Sequence, residues 1–173
     1  MSGYDRHVRR GHPIVFGLIV FFGIIEGSLS TWLISQYDKY NDYPSRAIRD
    51  RTGLTAFTSW WTVFFGIVYL VLFLHSASTG SLLTSVTSHA VWLFITWILW
   101  TASAASITAA LGGGVNCSST IGHALQHCNQ LVAQEAFAWI EFILFTFALI
   151  MVIISARRAV LRGDGWGGQL IYA

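Results

Sequence analysis

Four long apolar stretches divide the chain: residues 14–34, 57–74, 90–111 and 136–154. Each is close to the roughly 20 residues that an α-helix needs to cross a bilayer. None shows the alternation that is typical of strands in a membrane barrel. Because a lipid-embedded segment must satisfy its own backbone polar groups, these stretches are predicted to be helices. The sequence therefore predicts an all-α integral membrane protein, with a bundle of four transmembrane helices in a single domain over residues 1–173.

A cleaved signal peptide is the alternative interpretation of the first stretch. That stretch exceeds the roughly 7–15 residues of a signal core, and bulky aromatic residues follow it instead of a small-residue cleavage site. Composition also favours the membrane, because 54% of residues are hydrophobic and only 10% are charged, against about 25% charged residues in soluble domains. No basic stripe on a soluble face points to a nucleic-acid partner.

The placement of Lys and Arg predicts that both termini are cytoplasmic. Four spans put the termini on one side, which carries six of the basic residues, while the other side carries four; cytoplasmic loops are richer in them. The outer loops are predicted over residues 35–56 and 112–135, and the inner loop over residues 76–89. Six aromatic residues near the first outer loop are assigned to the interfacial belt: Trp32, Tyr37, Tyr40, Tyr43, Trp60 and Trp61.

The two cysteines, Cys117 and Cys128, fall in the second outer loop. An oxidising exterior lets them pair, and a disulfide across about 15 residues is worth roughly 3 kcal/mol. Free thiols and a zinc site with His123 and His127 are the alternatives. Zinc accepts those ligand types but usually takes two cysteines separated by two to four residues, so no metal is expected. Asn116 begins a formal glycosylation acceptor, although it lies too near the membrane for use to be expected.

Two acidic residues, Glu26 and Glu141, interrupt the spans. Glu26 shares a helical face with Gly23 and Gly27, which form a GxxxG pair suited to close helix packing. The fourth stretch carries a small or polar seam that largely repeats every seven residues: Gln134, Ala138, Glu141, Ala148 and Ser155. Counting about 1.5 Å per residue, five side chains fall at similar depth in the outer half and are predicted to form a polar layer: Glu26, Glu141, Thr62, Ser103 and Ser106.

No Lys or Arg lies within a span to neutralise these carboxyl groups. An ionised Asp at a helix centre costs roughly 2.5–3.5 kcal/mol, so we expect at least one of Glu26 and Glu141 to be protonated at neutral pH. Such groups mark proton paths or supply interhelical hydrogen bonds worth about 0.6 kcal/mol each. The cytoplasmic half offers only His75 and His89, interpreted as polar helix ends at the membrane edge, so a packing role is favoured.

The arrangement of spans and cysteines resembles the MARVEL-domain proteins, in particular a fungal branch. WILWTASAASITAALGGG leads through Cys117 and Cys128 into NQLVAQEAFAWIEFILFTFAL and the basic exit ARRAVLRGDG. The outer loops lack the W-GLW-C-C pattern of claudins and the CCG of tetraspanins. The resemblance implies a non-enzymatic role in membrane apposition, microdomain organisation or vesicle traffic, at the plasma membrane or in the secretory pathway.

The sequence offers no catalytic residues, since it contains no G-x-S-x-G, H-E-x-x-H or phosphate-loop motif. No cofactor is expected beyond a bound sterol or other lipid; Leu33, Tyr37 and Lys39 match a weak sterol-contact pattern. Expected partners are membrane lipids, further copies of the chain or other membrane proteins. Two alternatives stay open: an oligomeric proton or ion conductor using Glu26 and Glu141, and an accessory subunit of another membrane protein. Contacts with lipid headgroups are expected at the basic exit: Arg157, Arg158 and Arg162.

Overall fold

The structure, a computed structural model, describes residues 3–41, 43–76, 86–119 and 125–161. These residues form four helices, α1 (Gly3–Tyr40), α2 (Arg46–Ser76), α3 (Val86–Ala110) and α4 (Cys128–Leu161), and the described ranges contain no strand. Each helix has a stretch long and apolar enough to cross a membrane: Pro13–Tyr40, Arg46–Leu72, Thr87–Ala110 and Cys128–Arg158. The predicted all-α architecture with four membrane-length helices is confirmed.

The connection between α1 and α2 is much shorter than the loop predicted over residues 35–56. Helix α1 continues to Tyr40 and is followed by Asn41 with a φ of 50°, the left-handed conformation that commonly ends a helix. Helix α2 begins just after Ser45, whose Oγ accepts a hydrogen bond from the Ile48 N–H at 3.2 Å, as an N-cap residue does. Charged residues of this segment therefore extend the two helices beyond their apolar stretches: Asp38 and Lys39 in α1, and Arg46, Arg49, Asp50 and Arg51 in α2.

Helix α4 also begins earlier than its apolar stretch. Three glycines with φ of 74°, 89° and 123° follow α3 at residues 112–114, and glycine adopts such angles without steric cost. His127, with a φ of 58°, precedes α4, and its carbonyl accepts hydrogen bonds from the N–H groups of Gln130 and Leu131 at 3.0 Å each. The second predicted loop, residues 112–135, is therefore helical from Cys128 onward.

The chain divides into two compact units, and every helix contributes to both. The terminal unit comprises Met1–Phe21, Thr62–Trp97 and Ile143–Ala173, and the disulfide unit comprises Phe22–Trp61 and Ile98–Phe142. The terminal unit has an aromatic core in which the Trp92 ring lies 5.0 Å from Tyr69, 5.7 Å from Phe145 and 5.8 Å from Phe16.

His89 was predicted to be a polar helix end at the membrane edge; it does lie in the first turn of α3, but its side chain is packed in this aromatic core. Its side chain is 1% exposed, and its ring centroid lies 4.6 Å from that of Tyr69. Its burial shows that it faces the packed side of the first turn of α3, which begins at Val86. The side chain of His75 lies outside the described part of the structure.

The disulfide unit has a hydrophobic cluster to which all four helices contribute: Leu33, Tyr37, Ile48, Ile107, Leu111 and Leu131. Leu33 and Tyr37 are each 0% exposed. The assignment of Tyr37 to the interfacial belt was therefore wrong, and of the three residues in the sterol-contact pattern only Lys39 is exposed. The physical reason is that α1 stays helical past residue 34, which stacks Leu33 and Tyr37, at i and i+4, on one inward face.

Candidate functional site

Glu26 on α1 and Glu141 on α4 lie in the core of the disulfide unit, each with 0% exposure. The two carboxyl groups are close enough to interact electrostatically. The Ser30 hydroxyl donates a hydrogen bond to Glu26 Oε1 at 3.0 Å. Glu26 Oε2 and both oxygens of Glu141 have no hydrogen-bond partner among the described residues. Both predicted acidic residues thus face the protein interior, and Ser30, one turn along α1, is the hydrogen-bond donor to the pair among the described residues.

A chain of hydrogen bonds leads to Glu26 from two other helices. Thr52 Oγ1 on α2 donates to Gln134 Oε1 on α4 at 3.4 Å, and Gln134 Nε2 donates to Ser30 Oγ on α1 at 3.3 Å. Ser30 then donates to Glu26. Each side chain in this chain is 0% exposed. This series of hydrogen bonds joins three helices. Each side chain donates to the next, and the last, Ser30, donates to the Glu26 carboxyl group.

Ser103 and Ser106 form a second polar group on α3. Thr55 Oγ1 on α2 donates to Ser103 Oγ at 3.2 Å, and Ser106 Oγ donates to the Ser103 carbonyl at 3.1 Å. The Arg51 guanidinium donates to the Ser106 carbonyl at 2.9 Å. These serines therefore join α3 to α2, and their hydrogen bonds do not involve the carboxyl pair.

The predicted polar layer is thus divided between several contacts. Glu26 and Glu141 come together, while Ser103 and Ser106 bond elsewhere in the same unit. Thr62 is also fully buried, but it belongs to the terminal unit.

The predictions missed two members of the polar core, Thr52 and Thr55, because they precede the apolar stretch 57–74. A repeat of hydroxyl residues at steps of three and four does identify them, since such steps place residues on one helical face. All four members of that repeat are 0% exposed: Thr52, Thr55, Ser59 and Thr62. Gln134 was recognised only as part of the α4 seam, and its link to Ser30 has no signal in the sequence.

A third polar group, also missed, lies nearer the surface of the disulfide unit. The Thr108 hydroxyl on α3 donates to Glu135 Oε1 on α4 at 2.7 Å. The Trp139 indole N–H donates in turn to Thr108 Oγ1 at 3.0 Å, and Trp139 is 39% exposed. These contacts join α3 to α4 and give Glu135 a hydrogen-bond donor.

Gly27 allows close packing of α1 on α2. A Cβ atom at this position would lie 3.2 Å from Ser59 Cβ and 3.2 Å from Trp60 Cε2. The Trp60 indole N–H donates across the same contact to Thr31 Oγ1 at 3.0 Å. Gly23 is buried as well. The absence of a side chain at Gly27 therefore sets how closely the two helices approach.

Cys117 and Cys128 form a disulfide, with a Cα–Cα distance of 5.8 Å, which confirms the predicted pairing. The zinc alternative is wrong for these cysteines, and the described residues contain no group of three or more potential metal ligands. The His127 ring packs edge-on against Trp32 at 5.1 Å, whereas His123 lies outside the described residues. Asn116 is exposed, and its Oδ1 accepts a hydrogen bond from the Ser118 N–H at 3.0 Å.

The basic exit after the last span is only partly described. Arg157 and Arg158 are exposed near the end of α4. Arg162 lies outside the described residues.

A helical fold with four membrane-length segments and inward-facing polar side chains defines a multi-span membrane protein. A family model for the MARVEL membrane-associating domain matches residues 8–151. The match covers most of all four helices, so the chain belongs to the MARVEL family, as its sequence pattern predicted. No curated protein and no solved structure gives a significant match to the chain.

Proposed function

We propose that this chain is a non-enzymatic membrane-organising protein that acts through lateral packing of its helices against lipid and neighbouring proteins. Its roles would be membrane apposition, microdomain organisation or vesicle traffic, at the plasma membrane or in the secretory pathway. Membership of the MARVEL family supports this, because that family generally organises membranes without catalysis. The observation that carries the proposal is the distribution of polar and apolar side chains.

Large apolar side chains cover the outside of the described helices. On α2, Phe57, Phe64 and Val71 are 56%, 63% and 56% exposed at a seven-residue repeat. On α4, Phe147 and Ile150 are 60% and 48% exposed. Such surfaces are rare on soluble monomers and mark contacts with membranes or proteins. With Glu26, Glu141 and the hydroxyl repeat of α2 buried, most contacts available along the spans are lateral and apolar.

The disulfide supports the proposed orientation with cytoplasmic termini. Disulfides persist in oxidising compartments, so a loop holding Cys117 and Cys128 belongs outside the cytosol. An even number of spans then returns both termini to the cytosol. There, Arg157 and Arg158 would meet anionic inner-leaflet lipid, at about 1 kcal/mol per residue.

The native lipid shell of the chain tests the proposal. The full chain would be extracted with its surrounding lipid by a styrene–maleic acid copolymer, and its lipids compared with those of the whole membrane. We expect a distinct composition around the wild type, and a lower anionic fraction around the Arg157→Gln, Arg158→Gln variant. A lipid shell identical to the bulk would contradict the proposal. A single protein co-purifying in fixed stoichiometry would favour the accessory-subunit alternative.

Ion conduction is the second candidate, because Glu26 and Glu141 are buried together. The described side chains of the terminal unit include no carboxyl group, whereas a proton path needs relay groups throughout the membrane. We therefore expect proteoliposomes with the wild type to pass protons no faster than protein-free liposomes. Conduction by the wild type that disappears in the Glu26→Gln, Glu141→Gln variant would overturn the organising role.

A further inference from the structure

Most carboxyl oxygens of Glu26 and Glu141, the carboxyl pair of the disulfide unit, lack a hydrogen-bond donor among the described residues. Glu26 and Glu141 present four carboxyl oxygens, and Ser30 supplies a hydrogen bond to one of them. The other three have no partner among the described residues, and both side chains are 0% exposed. A buried charge requires a partner or a change of ionisation, so the pair must either bind a cation or lose charge by protonation.

The charged groups described in this unit are engaged away from the pair. The Arg51 guanidinium bonds to the Ser106 carbonyl on α3, and α3 itself contributes no charged residue. On α4, Glu135 accepts from Thr108. The remaining groups lie at the exposed ends of α1 and α2 or in the connecting turns: Asp38 paired with Arg49, Lys39 over the Tyr40 ring, the exposed Arg46 and Asp50, and His127 against Trp32.

We propose that Glu26 and Glu141 form an intramembrane binding site for one small monovalent cation, either a proton or a sodium ion. The three unpaired oxygens supply its ligands, and the Thr52–Gln134–Ser30 chain holds the Glu26 carboxyl in place from α2 and α4. The cation reduces the repulsion between the two carboxyl groups and joins α1 to α4. The proposal does not depend on the proposed membrane-organising role.

The donor set selects the class of cation. Calcium takes about six to eight oxygen ligands, and magnesium needs a near-ideal octahedron. The described residues contain no cluster of three or more acidic, histidine or cysteine side chains. Two carboxyl groups and a neighbouring hydroxyl offer too few oxygens for either divalent ion, whereas a singly charged ion needs fewer ligands.

Infrared spectroscopy of the full chain tests the site in a maltoside detergent, which has no carbonyl group of its own. The C=O stretch of a protonated carboxylic acid, which shifts in D₂O, is recorded at neutral pH in choline chloride and in sodium chloride. The variants are Glu26→Gln, Glu141→Gln and the double substitution. The matched control is Glu135→Gln, which removes a carboxyl group of the same unit that has a hydrogen-bond donor.

A bound proton predicts an acid C=O band in the wild type that persists in sodium, is lost in the double variant and is unchanged in the control. A bound sodium ion predicts wild-type carboxylate bands that shift between choline and sodium, and a shift that each single variant removes. The single variants keep the test decisive if the double variant fails to fold. The proposal is overturned if neither an acid band nor a sodium-dependent shift can be assigned to Glu26 or Glu141.

Discussion

The close contact between α1 and α2 at Gly27 makes the substitution Gly27→Ala informative. The added Cβ would come within 3.2 Å of Ser59 Cβ and of Trp60 Cε2, closer than ordinary van der Waals contact. The Trp60 ring is held by its hydrogen bond to Thr31, so it cannot move away without weakening that bond. Gly17 on the same helix is the matched control, because a Cβ there would have nothing within 4 Å.

The comparison of the two variants isolates the steric cost. Alanine is favoured over glycine in a helix by roughly 0.8–1.0 kcal/mol, and this gain applies at both positions. Overpacking a well-filled contact costs about 1–3 kcal/mol, and this cost applies only at Gly27. We therefore expect Gly17→Ala to be neutral or stabilising, and Gly27→Ala to be less stable than Gly17→Ala by about 1–3 kcal/mol.

The free energy of unfolding would be measured by titrating SDS into maltoside micelles and following helix content by far-UV circular dichroism. This readout avoids the fluorescence of Trp60, which the substitution itself would alter. Equal stability of the two variants, within about 0.5 kcal/mol, would refute the inference that Gly27 sets the distance between α1 and α2.

Three further outcomes are expected. Replacing both Cys117 and Cys128 with Ser should destabilise the chain by about 3 kcal/mol in the loop-entropy model, since the disulfide joins residues separated by 11 positions; reduction of the wild type should lower its thermal midpoint similarly. Gln134→Leu removes two interhelical hydrogen bonds and should cost about 1 kcal/mol at about 0.6 kcal/mol each, while Gln130→Leu, half-buried on the same helix, should change stability little. Vesicle assays with labelled anionic lipid should show weaker binding by the Arg157→Gln, Arg158→Gln variant, and unchanged binding would contradict a headgroup contact.

The four helices and the burial of the acidic residues were predictable because both follow from the cost of polar groups in lipid. A long apolar stretch fixes where a helix must lie, and an uncompensated Glu within it must face inward. The helix ends were less predictable, because the charged residues from Arg46 to Arg51 carry no apolar signal. Their helical state depends on the Ser45 cap and on contacts such as Arg51 with the Ser106 carbonyl.

The contacts between side chains of the polar core could not be predicted from the sequence either. Depth along a helix follows from counting residues, but which side chains meet depends on helix rotation and on loop length. Ser103 was expected beside the carboxyl pair and instead accepts a hydrogen bond from Thr55. Gln134 reaches Ser30 over a sequence separation of 104 residues, a contact that only tertiary packing determines.

Giant vesicles test most directly whether this chain organises lipid laterally. The purified, dye-labelled chain would be reconstituted into vesicles with coexisting ordered and disordered lipid phases, alongside a designed four-helix membrane protein of similar size. We expect the chain to concentrate in one phase or at the phase boundary and to slow lipid diffusion there. An even distribution, with lipid diffusion equal to that around the designed protein, would contradict lateral organisation by this chain.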